Sequence, residues 1–479
     1  MGLYIENLAD QETTTAGEKI KINIEVINRS PIKASLKSIS SKQLKDTSLV
    51  FDLKENVPFG NTSSITVQDQ PFSEPYWLRL PWSTGMYEVN DQELIGLKEN
   101  PPMVVFDYVI NVNGKDLAFS APLTYKQTDP VEGEIYKPFR ILPPVMINLS
   151  EKIFLFSEST SKPIEVKLKA GKDNVSGKLY PEVPSGWKIE PSEIEFSLGT
   201  RGSTKNYSFK LFPPNNASEG EVKFKAKVGN KEYNEGIIEI NYSHIPSQVL
   251  LPSAVAKAVR LNIKKKGNVL GYIMGAGDEV PAALSQIGYK VEIIKPADFS
   301  LVTFKKYDAI ILGIRSYNTV DALKFANTAL MTYVKEGGNV IVQYNTIGGF
   351  TADNRLSLDS IGPYPFKVAN ERITDETAVP KFLNSSHPIF NSPNKITPTD
   401  FDNWVQERGL YFPKEWSKEY QPLLSFSDPG EQPKEGALLI TSFGKGNYIY
   451  TGLSFFRQLP AGVAGAYKLF ANMVSLGKK

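Results

Sequence analysis

"GNVLGYIMGAGDEVPAALSQIGYKVEII" (267–294) decides how the second half of this chain is read. An apolar run meets glycines, a helix-like stretch follows, and a second apolar run ends beside Glu292, in the outline of a nucleotide-binding βαβ unit. A dinucleotide fingerprint needs G-x-G-x-x-G, and here Gly275-Ala276-Gly277-Asp278-Glu279-Val280 lacks the third glycine. Asp278 and Glu279 stand where a pyrophosphate would meet the helix N-terminus. Carboxylates there satisfy the helix dipole themselves and repel an anion. Pro281 suits a first helical turn. The stretch reads as a corner and a helix cap, not as a phosphate cradle.

Downstream the alternation continues through "YDAIILGIRSYN" (307–318), "DALKFANTALMTYVKEGG" (321–338) and "NVIVQYN" (339–345). Strand-like runs with continuous apolar character, separated by helical periods, predict a parallel sheet covered by helices. The expectation is an α/β domain over 267–479, with 248–266 as its linker. Upstream the texture is different. "KIKINIEVINRS" (19–30) alternates with period two, setting Ile20, Ile22, Ile24 and Val26 on one face. Asn113-Gly114 between two such runs signals a hairpin. Residues 1–138 read as a β-sandwich. The Pro-rich seam "DPVEGEIYKPFRILPPV" (129–145) leads to a second, Ig-like sandwich over 139–247.

Composition narrows the chemistry. The 479 residues exceed one ordinary core, so a multidomain chain is expected. Basic and acidic residues number 54 and 52, which leaves no electrostatic footprint for nucleic acid or an anionic membrane. No apolar run is long enough to span a bilayer, and no signal-peptide pattern follows Met1. The opening "MGLYIENLADQETTTAGEKIKINIEV" enters strand-like sequence at once and reads as a piece of a longer polypeptide at least as well as a natural beginning. There is no cysteine, and the two histidines, His244 and His387, fall in different expected domains. Thiol nucleophiles, cysteine metal sites and a histidine metal cluster have no residues to build them. No cofactor and no metal are expected.

Five phrases in order carry a family resemblance: "GYIMGAGDEVPAALSQIGYKV", "YDAIILGIRSYN", "YVKEGGNVIVQYNT", "GPYPFKVANERITDE" and "GKGNYIYTGLSFFRQLPAGVAGAYKLFANMVSLG". The region resembles the C-terminal part of long bacterial PIG-L (LmbE-like) deacetylase family proteins. Within it, the last domain is similar to ThuA-like and class I glutamine amidotransferase-like domains, of flavodoxin-like type. The second sandwich resembles the Ig-like modules attached to α-galactosidases and other glycan enzymes. The resemblance implies an exported bacterial protein, periplasmic or extracellular, with glycan as ligand and an N-terminal deacetylase domain as partner. It brings no catalysis. The zinc-binding His-Pro-Asp-Asp type run of the deacetylases is absent. At the amidotransferase nucleophile position stand Tyr344, Asn345 and Thr346, and the run that supplies His and Glu in that family reads Gly452-Leu453-Ser454-Phe455-Phe456-Arg457-Gln458 here.

Open α/β sheets bind ligands beyond the carboxyl ends of their strands. Those ends carry Asp278 and Glu279, then Arg315, Tyr317 and Asn318, then Gln343, Tyr344 and Asn345, and finally Phe456 and Arg457. The set suits a hydroxyl-rich or carboxylate-bearing ligand, or a partner domain. The competing expectation is that Arg315 and Arg457 pair with Asp278 and Glu279 to lock the loops. In "DFDNWVQERGLYF" (400–412), Trp404 is a candidate for stacking on a sugar ring, with a buried anchor as its alternative. Trp77 and Trp82 in "EPYWLRLPWSTGMYEV" (74–89) form a second aromatic group. His387 reads as a loop histidine bonded to backbone, and His244 as structural. The leading functional expectation is a non-catalytic accessory region of a carbohydrate-active protein. Its alternatives are a carboxylate-based hydrolase using Asp278, Glu279 and Asp400, and a purely structural interaction protein.

Overall fold

The structure, a computed structural model, describes residues 2–42, 44–83, 85–347 and 358–478. The alternation of residues 19–28 is obeyed: Ile20, Ile22, Ile24 and Val26 are buried while Lys19, Lys21 and Asn23 face solvent. Lys19–Asn28 belongs to an eight-stranded sheet. The long strand Lys115–Asp129 joins its two halves, pairing antiparallel with Val105–Val112 and then parallel with Leu3–Ala9. Both halves close over one core that includes Ile22, Leu36, Phe106 and Leu123. Asn113 and Gly114 turn the hairpin with φ of 49° and 87°, the left-handed conformations that a two-residue turn demands.

The second unit is a sandwich of a four-stranded and a six-stranded sheet. Ile164, Val166 and Leu168 of Lys162–Ala170 meet Val222, Phe224 and Ala226 of Ser218–Val228 in a common core. Here the expected linker is corrected. Val255–Arg260 lies inside the six-stranded sheet, between Ile153–Phe156 and Ser218–Val228, so 248–266 is largely structural. Its short alternation, with Ala256 and Ala258 buried, offers only small side chains to a periodicity reading.

The expected fold class is also corrected. Strand makes up 44% of the chain and helix 14%, so the molecule is β-rich throughout, not two sandwiches followed by a helix-clad flavodoxin-like domain. The last region holds a seven-stranded sheet in the order 290–293, 269–273, 309–312, 339–343, 446–451, 438–443 and 421–422. Its first four pairings are parallel and its last two antiparallel. Among the described residues of this region, only Leu323–Lys335 and Ala464–Ser475 are helices longer than seven residues. Between Gln343 and Gly446 the described chain runs through strands and 3-10 turns instead. Continuous apolar runs report that both faces of a strand are covered. They do not report what covers them, and here much of the cover is irregular chain such as 387–404.

The units meet in two ways. Leu155, Val259 and Leu261 of the second unit enter the core of the last region. The first and second units meet through charges, Arg201 holding Glu18 at 2.8 Å and Lys231 holding Asp69 at 2.6 Å.

Candidate functional site

The loop after Val269–Ile273 turns a corner, and its glycines have local reasons. A Cβ on Gly275 would lie 2.0 Å from the Ile314 carbonyl oxygen, and Gly277 has φ of 98°. Asp278 accepts the Tyr272 hydroxyl at 2.6 Å and the backbone N–H groups of Val280 and Ile314 at 3.1 and 3.2 Å. Burial, then the Asp278 carboxylate, raises the Tyr272 phenol well above its ordinary range. Asp278 therefore ties two strand ends together, while Glu279 stays exposed at the helix cap without a side-chain capping bond. Neither acid pairs with an arginine among the described residues, which corrects the expected locking pairs.

Amides zip the next two strand ends. The Asn345 carbonyl accepts Tyr317 N–H at 2.9 Å and its amide donates to Gln343 O at 3.0 Å. Asn318 and Thr346 exchange bonds of 3.0 and 2.8 Å. The Tyr317 hydroxyl reaches Asn327 at 2.7 Å. Tyr317, Asn318 and Asn345 thus build the floor and do not offer themselves to a ligand. Gln343 is 1% exposed; its amide donates to Tyr272 at 2.9 Å, while its carbonyl oxygen has no partner. The Ser316 hydroxyl is also buried without one. Orphaned buried polar atoms are uncommon enough to need an explanation.

On that floor sits an aromatic platform. The Tyr344 ring stacks on Tyr411 at 5.6 Å and 14°, and Phe456 tilts against it at 5.4 Å. The Arg457 guanidinium lies 4.7 Å over Phe456, with Nε bonded to Glu407 at 2.8 Å. Burial raises the Tyr344 phenol, against the pull of Arg315 and Arg457. Arg315 is exposed, its side chain without hydrogen bond or ion pair among the described residues. Its backbone is left-handed, φ 57°, pinned by a 2.8 Å bond from its N–H to Tyr344 O. Gln406 and Tyr411 are left-handed too, at 68° and 54°. Such conformations cost about 1–3 kcal/mol each and gather at functional sites. Of the expected site residues, Arg315, Tyr344 and Arg457 converge. Tyr411 and Glu407, which complete the platform, were not expected; no sequence signal marks a tyrosine for positive φ.

For Trp404 the buried-anchor reading holds, and its place as a sugar-stacking residue is corrected. It is 3% exposed, stacked 5.3 Å from Phe401, with its indole N–H on the Asp400 carbonyl at 3.2 Å. Arg408 is buried with it, donating to the Ala378 carbonyl at 2.9 Å, and desolvation pulls its guanidinium down to about 10. Asp400 accepts Thr397 N–H at 2.8 Å and pairs with Lys468 at 2.8 Å, so it is committed to the turn. His387 caps its own turn, Nδ1 accepting Ile389 N–H at 3.2 Å. His244 is exposed, its ring 5.7 Å from Tyr242. Among the described residues no group of three or more His, Cys, Asp or Glu could hold a metal, and no helix is long and apolar enough to cross a membrane.

No protein-family model matches the chain, and neither does any curated relative. Solved structures show distant likeness. Red sea bream transglutaminase matches 56% of this chain at 8% identity and TM-score 0.25. An E. coli alpha-2-macroglobulin matches 54% at 6% identity and 0.19, and the D0-D1 domain of intimin 47% at 10% and 0.16. The chain spans 32% of the transglutaminase, 16% of the macroglobulin and 92% of the intimin fragment. Scores this low establish no common fold.

Proposed function

We propose that this chain is a non-catalytic binding and positioning region of a carbohydrate-active protein, with its ligand site at the strand-end platform. One observation carries the reading. Tyr344 stacks on Tyr411 within the electrostatic reach of Arg315 and Arg457, on strained backbone, and the Arg315 guanidinium is exposed and unpaired among the described residues. The partly exposed Tyr411 ring, backed by the buried Tyr344, offers a face to a sugar, and a guanidinium offers a carboxylate two parallel donors. The ligand class that uses both is a glycan bearing carboxylates. The resemblance to the C-terminal part of PIG-L proteins supports an enzyme partner acting on N-acetylated sugars. The commitment of Asp278 and Asp400 to backbone and Lys468 favours binding over hydrolysis.

Calorimetric titration with trigalacturonate and with uncharged cellotriose tests this. Wild type is expected to bind the acid, more weakly as salt is raised, and Arg315→Ala to lose about tenfold in affinity. Equal affinity of wild type and Arg315→Ala, or no binding by wild type, overturns it.

A further inference from the structure

A cavity of about 360 Å³ lies far from the platform in sequence, where the first unit meets residues 246–249. We propose that it is a second binding site, and that it takes an uncharged sugar ring. Its volume falls within the range of small-ligand pockets, about 300–1,000 Å³.

The walls decide the ligand. Pro75, Pro101, Pro102, Pro122, Pro138 and Pro246 line the cavity. Proline has no N–H and a fixed φ, so these walls are stiff and offer no ladder for an added peptide strand. Recognition must come from rings and side chains. Trp77, half-buried, and Tyr136, half-exposed, supply the rings. The Tyr76 ring fixes Trp77 edge-on at 4.9 Å, while the Tyr136 hydroxyl is anchored on Glu6 at 2.5 Å. Both rings are therefore held in place before anything binds.

The polar groups have spare capacity of both signs. Glu99 makes no hydrogen bond or ion pair among the described residues. Gln248 uses its amide on Pro246 O at 3.4 Å, leaving its carbonyl oxygen to accept. Lys137 spends one N–H on Glu12 at 3.1 Å and keeps two donors. Arg140 spends three of its five N–H donors on Glu12 at 2.9 Å and on Ser247 at 2.5 and 2.7 Å, and Glu12 already balances its charge. With Lys137 and Arg140 set against Glu12 and Glu99, the charges cancel and neither a cation nor an anion is favoured. Separate free acceptors and donors beside aromatic faces match hydroxyl groups, which both donate and accept. The choice of a sugar over another neutral polyol rests on the carbohydrate-associated reading above.

The test titrates N-acetylchitotetraose and cellotetraose into the whole chain, following tryptophan fluorescence and heat. Variants are Trp77→Ala, Glu99→Gln and, as control at the platform, Arg315→Ala. Thermal melts of each variant separate lost binding from lost folding. Binding of a neutral tetrasaccharide, weakened about tenfold or more by Trp77→Ala and by Glu99→Gln but unchanged in Arg315→Ala, supports the proposal. Glu99→Gln keeps the side-chain shape, so its effect is readable even where Trp77→Ala unfolds. Neutral binding that ignores Glu99→Gln overturns the site. Failure of both neutral sugars while trigalacturonate still binds overturns this inference and leaves the platform reading standing. Failure of all three overturns both.

Discussion

The strand-end platform and the junction cavity hold aromatic rings by opposite means. At the platform, Asn345, Asn318 and Asp278 stitch loops together by hydrogen bonds, and three residues accept left-handed backbone to bring Tyr344, Tyr411 and Arg315 together. At the cavity, six prolines fix the walls, and no side chain that lines it sits on a left-handed non-glycine residue. A hydrogen-bonded, strained site depends on the fold beneath it. A proline-walled site is rigid locally. The two should therefore fail separately when the molecule is perturbed.

The largest expected effect tests that separation. Trp404 anchors the excursion that delivers Glu407 and Tyr411, packed on Phe401 and Phe455 and under Arg408. Trp404→Ala should cost about 3–5 kcal/mol, by cavity formation and loss of burial. Thermal unfolding should drop visibly and trigalacturonate binding should vanish. Neutral-sugar binding at the cavity should persist below the new melting point. Loss of both together would merge the two regions into one cooperative unit.

That burial also shows what the sequence could not disclose. Trp404 is flanked by Asp402, Asn403, Gln406 and Glu407, yet it is core; Trp82 lies beside proline, yet it is 65% exposed. In regular strands, flanks and burial are coupled by the period of two, which is why Ile20 to Val26 and the Asn113-Gly114 hairpin were legible. In an irregular excursion no period links neighbours, so local polarity says nothing about which way an indole turns. Arg315, Tyr344 and Arg457 were legible because strand ends are fixed by the strands. Tyr411 was not, since its strand, Gly409–Trp416, pairs outside the main sheet with Phe366–Ile373. The absent fingerprint at 275–280 was read from its residues alone, and the tight approach of Gly275 to Ile314 gives its glycines a purely steric cause.

A smaller effect has the opposite sign. Arg315 holds φ 57°, a conformation glycine adopts freely. Arg315→Gly should relieve part of that strain, offset by the greater chain entropy of glycine when unfolded, for a net stabilisation of about 0.5–1 kcal/mol. The same change removes the unpaired guanidinium, so anionic-glycan affinity should fall while the melting temperature rises. A parallel fall of both would mean that the Arg315 side chain supports the fold, and that the platform stores no strain for binding.

The smallest effect concerns acid. His387 caps the turn Pro388–Phe390 through a lone pair on Nδ1, which must be unprotonated to accept Ile389 N–H. Burial holds this imidazole below its usual value of 6.5, so the unfolded chain takes up the proton first as pH falls. Folding stability is therefore fully present above the unfolded value and erodes as the pH drops from there toward the folded one. The loss is bounded by the worth of a cap, about 0.5–1 kcal/mol for a half-buried turn. Denaturant melts between pH 7.5 and 5 should show the decline, and His387→Asn, which caps without titrating in this range, should flatten it; these pH values run from about one unit above the free imidazole to about one and a half below it. His387 lies in the unit that carries the platform, so hydrogen exchange at low pH should loosen 384–396 first and leave the amides of the strands beside the cavity, Lys115–Asp129 and Gly133–Pro138, protected. Uniform loosening of both regions would place the titrating group elsewhere and remove the last distinction between them.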